Sequence, residues 1–231
     1  MYEVPIAVGN RRIIGRLFDP EPSSSVNAGQ HGRAGLLFVH GLDSSQDGYA
    51  TRAEAASSEL GLTCLTFDLG GHGSSTGDRD RLSRSDHLQD LEAAYDRLWS
   101  AMGVYPARIG VCGASYGAYL TCLLTGTRQI RRLLLRAPAL YHDQDTQISP
   151  DKRDEPFSDN IALRNLHAFD GETLVLESGA DEIIPHSVIE TYLAASRRPV
   201  HHIIEGARHR LYQEEWNAAF IREILAWFKN L

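Results

Sequence analysis

The chain has 231 residues, 42% of them hydrophobic and 23% charged, with a formal net charge of -7. That length supports one large core without forcing two domains, and the acidic balance argues against nucleic acid or an anionic membrane as the main partner. No run approaches the ~18 apolar residues of a membrane span, and Met1 to Asn10 lacks the basic-then-apolar pattern of a signal peptide.

The three cysteines, Cys64, Cys112 and Cys122, lie in apolar runs without CxxC spacing. They are expected as buried free thiols rather than a disulfide framework or a zinc site. A soluble, cytoplasmic protein is the expectation, without membrane insertion.

Tyr2 to Val8 and Arg12 to Phe18 alternate apolar and polar residues around Gly9-Asn10, which predicts a hairpin. Pro20 to Arg33 reads as a surface loop. From Gly35 onward strands and helices alternate. Leu36 to Val39 is a buried strand, Ala50 to Leu60 a helix closed by Gly61, and Leu62 to Phe67 the next strand. A helix from Arg84 to Ala101 carries Leu88, Leu91, Tyr95 and Leu98 on one stripe, with Ser83 or Ser85 as its cap. Gly103 and Pro106 end it.

Ile109 to Cys112 is the next strand, and small apolar residues after Ser115 predict a helix. Strands follow at Leu133 to Arg136, Thr173 to Glu177 and Val200 to Ile204. Helices are predicted from Val188 to Ser196 and from Glu214 to Lys229, the last with Trp216, Phe220, Ile224, Trp227 and Phe228 on one face. Arg128, Arg131, Arg132 and Arg136 are expected to form a solvated rim around a strand.

Six strands separated mostly by helices imply a doubly wound parallel sheet, and the hairpin adds two antiparallel strands at one edge. The expected fold is therefore α/β, with an eight-stranded sheet in a single domain over residues 1–231. Between Tyr141 and Phe169 the pattern breaks into an insertion with one short helix, capped by Ser158, which would roof a substrate pocket. Its aromatics, Tyr141, Phe157 and Phe169, are expected to pack on the core.

In such a sheet functional groups gather at the carboxyl ends of the strands. Gly113-x-Ser115-x-Gly117 occupies one such end, where a serine at a sharp strand-to-helix turn needs neighbours without side chains. A serine hydroxyl needs a base. Of the ten histidines, His209 follows the last strand in what reads as a flexible loop over the same edge. His40 and His72 fit structural hydrogen bonds, His186 a helix start, and His201 and His202 a strand interior. The base needs an orienting carboxylate. Asp181, after the preceding strand, fits, with Glu182 as local competitor and Asp68 as a substitute. Backbone N–H groups of Leu42 and Tyr116 stand where an oxyanion hole would form, each such donor being worth ~2.7–4 kcal/mol.

The order Ser115, Asp181, His209, with the His40-Gly41 and Gly71-His72-Gly73 loops, resembles the α/β-hydrolase superfamily from about Gly35 to Leu231. Gly179-Ala180-Asp181-Glu182-Ile183-Ile184-Pro185 is similar to its acid loop, and Asp68 to Ser74 to its structural glycine-histidine-glycine turn. The compact size is similar to serine esterases of the feruloyl-esterase and dienelactone-hydrolase-like kind. Gly-x-Ser-Tyr-Gly also resembles the acyl-peptidase branch, although no propeller domain is present.

The resemblance implies a carboxylesterase acting through an acyl-enzyme, with Ser115 as nucleophile, His209 as base and Asp181 as orienter. It implies no metal or organic cofactor, a small-molecule ester or other acyl substrate, and a monomer or small homo-oligomer. Thioesters, amides and lactones share the acyl-transfer step, and a non-catalytic ligand-binding protein is the alternative from another class. The insertion is shorter than the lids of many relatives, so acyl-chain selectivity is not implied.

Overall fold

The computed structural model describes residues 1–20, 32–101, 103–143 and 160–231. Along them run β1 (Tyr2–Val8), β2 (Arg11–Phe18), β3 (Arg33–Val39), α1 (Ala50–Leu60), β4 (Thr63–Phe67), α2 (Arg84–Trp99) and β5 (Val104–Ala114). They continue with α3 (Tyr116–Leu124), β6 (Arg132–Arg136), α4 (Ile161–Ala168), β7 (Glu172–Ser178), α5 (His186–Ala195), β8 (Pro199–Ile204) and α6 (Glu214–Phe228).

The strands form one sheet in the order β1-β2-β4-β3-β5-β6-β7-β8. β1 and β2 are antiparallel to their neighbours, and the other six strands run parallel. This is the expected eight-stranded α/β sheet with its hairpin at one edge. The chain leaves β3 toward β4 on one side and returns to pair β5 on the other. The loops after β3 and β5 therefore diverge, opening a crevice at the carboxyl edge.

Alternation within the strands builds two cores. Leu37 and Val39 of β3 face a layer containing Leu91, Leu98, Leu120, Leu163 and Ile189, from α2, α3, α4 and α5. Leu36 and Phe38 face the opposite layer, where Ala53 and Ala56 of α1 meet Phe220, Ile224 and Phe228 of α6. Trp216 and Trp227 lie at the edge of that core, only partly buried.

The helix ends follow their local chemistry. Gly61 closes α1 in the left-handed region, at φ 67°. Ser83, not Ser85, caps α2: its side chain accepts from the Asp86 N–H, and the Asp86 carboxylate accepts from the Ser83 N–H. The cap of α4 is Asn160, whose Oδ1 accepts from the Leu163 N–H at 2.8 Å. Ser158 and Phe157 lie outside the described residues. β5 starts at Val104, earlier than expected, and Pro106 falls where the pairing with β3 shifts register.

All three cysteines are buried and unpaired. Burial pushes the Cys112 thiol up to about 12 and raises Cys64 and Cys122 as well. Among the described residues no helix is long and apolar enough to cross a membrane.

Candidate active site

Ser115 joins β5 to α3 with φ 52° and ψ -118°, a conformation side chains rarely adopt. Surrounding bonds hold it there. The Ser115 N–H donates to the Arg136 carbonyl at 2.9 Å, and the Ser115 carbonyl accepts from Ala118, Tyr119 and Ala139. The flanking glycines are required by contact. A Cβ on Gly113 would lie 2.7 Å from the Gly117 carbonyl oxygen, and one on Gly117 would lie 2.5 Å from the His40 carbonyl oxygen. The first clash is within the turn. The second is against the loop after β3, so Gly117 lets that loop approach Ser115.

His209 Nε2 lies 3.0 Å from Ser115 Oγ, and its Nδ1 lies 2.8 Å from Asp181 Oδ2 and 3.1 Å from Oδ1. A carboxylate can only accept, so Nδ1 carries the proton and the Nε2 lone pair faces the serine hydroxyl. Burial works against the Asp181 charge. Hydrogen bonds from His209, Ile184 and Ile183 outweigh it, and the Asp181 carboxyl is held below the usual carboxylate range.

The competing acids have other partners. Glu182 accepts from the His209 backbone N–H at 3.2 Å, which lowers its own pKa. Asp68 accepts from the Gln46 N–H, the Gln46 side chain and the Ser74 N–H, which ties the loop after β4 to the turn at Gln46–Tyr49.

The segment bearing His209 is not the flexible loop that its sequence suggests. Glu182 holds its N–H, Arg136 donates to its carbonyl, and Ala180 N–H bonds the Ala207 carbonyl. The other histidines lie elsewhere. His201 and His202, on β8, pair with Glu177 of β7 and Glu223 of α6, and His186 at the start of α5 bonds Glu177.

His40 shapes the loop after β3. Its Nε2 accepts from the Leu69 N–H at 3.0 Å, so Nδ1 is the protonated nitrogen and donates to the Gly41 carbonyl at 2.7 Å. Burial lowers its pKa to about 4, which keeps the ring in that neutral form. Gly41 lies against Ser115: a Cβ there would be 3.3 Å from the Ser115 Cβ. The side chain of Tyr116 points away, its hydroxyl 3.0 Å from His87 Nδ1. His87 Nε2 lies 3.1 Å from the Gly70 carbonyl, so Nδ1 accepts from the Tyr116 hydroxyl.

A cavity of about 420 Å³ opens beside Ser115. Its wall includes Leu42, Asp43, His209 and three arginines: Arg52 from α1, Arg136 from the end of β6, and the exposed Arg210. The basic run is thus corrected at its last member. Arg128 and Arg132 pair with Asp96 and Glu172 at the rim, whereas Arg136 is 6% exposed and faces the pocket. Its strand alternation places it inside, and its position at a strand's carboxyl end was the available signal. Arg52 gave no such signal, because it reaches the pocket from a helix face.

The described flanks of the insertion do not line this cavity. Tyr141 is buried edge-on to Tyr116 and Tyr119, and Phe169 packs on the core. The expected roof concerns residues 144–159, outside the described ones. Among the described residues no group of three or more His, Cys, Asp or Glu side chains could hold a metal ion.

Similar proteins have the same architecture. Est1E from Butyrivibrio proteoclasticus, solved with ferulic acid bound, superposes with a TM-score of 0.74 at 16% identity, over 96% of this chain and 98% of that one. An enol-lactonase from Burkholderia xenovorans gives 0.72 at 16%, over 98% and 100%. An alpha-beta serine hydrolase homologue from Coxiella burnetii gives 0.70 at 16%, over 97% and 96%.

An uncharacterised protein of Mycobacterium tuberculosis (strain H37Rv) is 31% identical over an alignment of 153 residues that covers 63% of this chain and 52% of the relative. The chain thus spans about half the length of the curated relatives it matches. Residues 30–154, just over half of the chain, match the family model described as serine aminopeptidase, S33. That match shows that the chain belongs to this S33 family, and its sheet order and structural likenesses give it the α/β-hydrolase fold.

Proposed function

We propose that the protein hydrolyses carboxylic esters through an acyl-enzyme on Ser115. The observation that carries this reading is the chain of contacts from Asp181 through His209 to Ser115 Oγ, 2.8 and 3.0 Å long. Ser115 Oγ attacks the acyl carbon and its proton passes to His209 Nε2. The carbonyl π pair moves onto oxygen, where the N–H groups of Leu42 and Tyr116 receive it. Collapse of this intermediate expels the alcohol, which takes the proton from His209. Water then repeats the sequence and releases the acid and free Ser115. Asp181 orients the imidazole and offsets its charge.

His40 supports the Leu42 assignment. The Gly41 carbonyl and the Leu42 N–H belong to one trans peptide and point in opposite directions. Holding the carbonyl on His40 turns the N–H the other way.

The family description raises aminopeptidase activity as a second reading. An aminopeptidase must seat an α-ammonium beside the scissile bond, and Arg52 and Arg136 make the pocket hostile to a cation. Likeness to Est1E and to an enol-lactonase also supports an ester or lactone substrate of the feruloyl-esterase or dienelactone-hydrolase-like kind. We propose a single domain with a small cap at 141–169, and buried free thiols suit a reducing, cytoplasmic setting.

Labelling with a fluorophosphonate, followed by a panel of esters, amides and thioesters, tests the reading. Wild type should label and cleave esters, and Ser115→Ala should do neither. Equal labelling of the two proteins would refute it.

A further inference from the structure

We propose that the pocket beside Ser115 selects esters that carry a free carboxylate, seated by Arg52 and Arg136. This rests on the ester-hydrolase reading for its chemistry, though not for the anion site itself.

Of the three arginines that line the pocket, Arg210 is exposed and donates to the Tyr212 hydroxyl. Arg52 and Arg136 reach inward and differ from the arginines that pair with acids. Arg11, Arg16, Arg79, Arg128, Arg132 and Arg197 each pair with an acid. Among the described residues Arg52 and Arg136 form no ion pair. Arg136 donates to the His209 carbonyl, and its buried Nε has no partner. Arg52 donates to the Gly48 carbonyl and Asn217 Oδ1, and its buried Nε is also unpartnered. The rings of Tyr49 and Phe220 pack against its guanidinium, with centroids 5.3 and 4.9 Å away.

Guanidinium stays protonated in proteins. A buried one with neither counter-ion nor full hydrogen bonding is costly, and a second in the same cavity adds repulsion. The nearby acids are engaged: Asp43 at the rim pairs with Arg79, and the oxygens of Asp181 serve His209, Ile183 and Ile184. The lining carries three arginines against one carboxylate, Asp43, so its charge favours an anion. A guanidinium presents paired N–H donors that suit the two oxygens of a carboxylate, and both arginines line the cavity. A cavity of about 420 Å³ that also reaches Ser115 suits a small half-ester of a dicarboxylic acid, with its acyl carbon on Ser115 and its far carboxylate between the arginines.

The experiment compares kcat/KM for the monoethyl esters of dicarboxylic acids from succinate to suberate with ethyl esters of monocarboxylic acids of equal length, followed by proton release. Wild type should favour the best half-ester by about tenfold or more, as expected for a charge-assisted pair. Arg52→Met and Arg136→Met should each lower the charged-to-neutral ratio about tenfold, and Arg52→Lys should restore part of it. Taking the ratio removes any loss common to both substrates, which matters for Arg136 because it also holds the His209 carbonyl.

Calorimetry with Ser115→Ala and free adipate gives a readout without turnover. Binding should occur and should weaken when Arg52→Met is added. A wild-type preference for neutral esters, or a ratio unmoved by both arginine variants, overturns the proposal. Cleavage of no ester, together with Arg52-dependent adipate binding, overturns the hydrolase reading and leaves the anion site standing. Neither cleavage nor binding overturns both.

Discussion

The Gly41 carbonyl oxygen lies 2.7 Å from Nδ1 of His40, and the other nitrogen of that ring accepts from the Leu69 N–H at 3.0 Å. One buried imidazole therefore joins the loop after β3 to the loop after β4. It also sets the plane of the peptide whose N–H is our proposed second oxyanion donor. Replacing His40 with Ala frees that plane and leaves two buried polar groups unpaired. We predict a fall in kcat of about ten- to a hundredfold, below the cost of deleting a donor outright, with KM little changed. Stability should fall by ~1–3 kcal/mol, read from urea unfolding. An unchanged kcat in a folded variant would remove His40 from the oxyanion loop's support.

The two neighbouring acids make a paired test. Asp181→Asn should lower kcat by about 10⁴-fold, because an amide can present its N–H to Nδ1 and favour the wrong tautomer. Glu182→Gln should cost less than about tenfold, since Glu182 reaches only the backbone N–H of His209. Equal losses would show that the acid has been misassigned.

Acid stability follows from the buried histidines. Burial holds His40 at about 4 against an ordinary 6.5, and it lowers His72 and His87 too. The unfolded chain therefore binds protons that the folded chain refuses. These groups add no penalty above pH 6.5, and stability drops as pH falls from 6.5 toward 4. The slope contributed by His40 approaches ~1.4 kcal/mol per pH unit, and His72 and His87 act in the same direction. Urea midpoints between pH 7 and 5 check this, and a flat profile would contradict neutral burial of the cluster.

Gly117 supplies a steric test. A methyl group there meets the carbonyl oxygens of Val39 and His40, both backbone atoms that cannot swing aside. Gly117→Ala should destabilise the protein by ~3 kcal/mol and separate the loop after β3 from Ser115. Thermal unfolding and kcat should fall together. A variant with wild-type stability would mean that the two backbones can separate without cost.

Thiol accessibility offers a simpler check. Cys64, Cys112 and Cys122 are buried and their thiols are held protonated. An aromatic disulfide reagent should react slowly with the native protein and rapidly after unfolding. Fast reaction of any one thiol in the native state would contradict that burial.

Periodicity in the chain by itself determined the sheet, because strand burial repeats every two residues and helix burial every three to four. Leu36 to Val39 and the stripe of Leu91, Tyr95 and Leu98 are legible for that reason. That Ser115, Asp181 and His209 would share one edge was legible as well, because parallel strands place every carboxyl end there. Only the tertiary structure decided which atom of each loop meets which. Glu182 and Asp181 are adjacent in sequence, yet one holds the His209 backbone and the other its ring. Arg136 reads as part of a basic rim until pairing with β5 and β7 turns its side chain into the cavity, and Arg52 joins it there from a helix distant in sequence. Local pattern records burial and turn geometry. The charge of a pocket depends on which side chains converge across the sheet, and that information resides in no single stretch of chain.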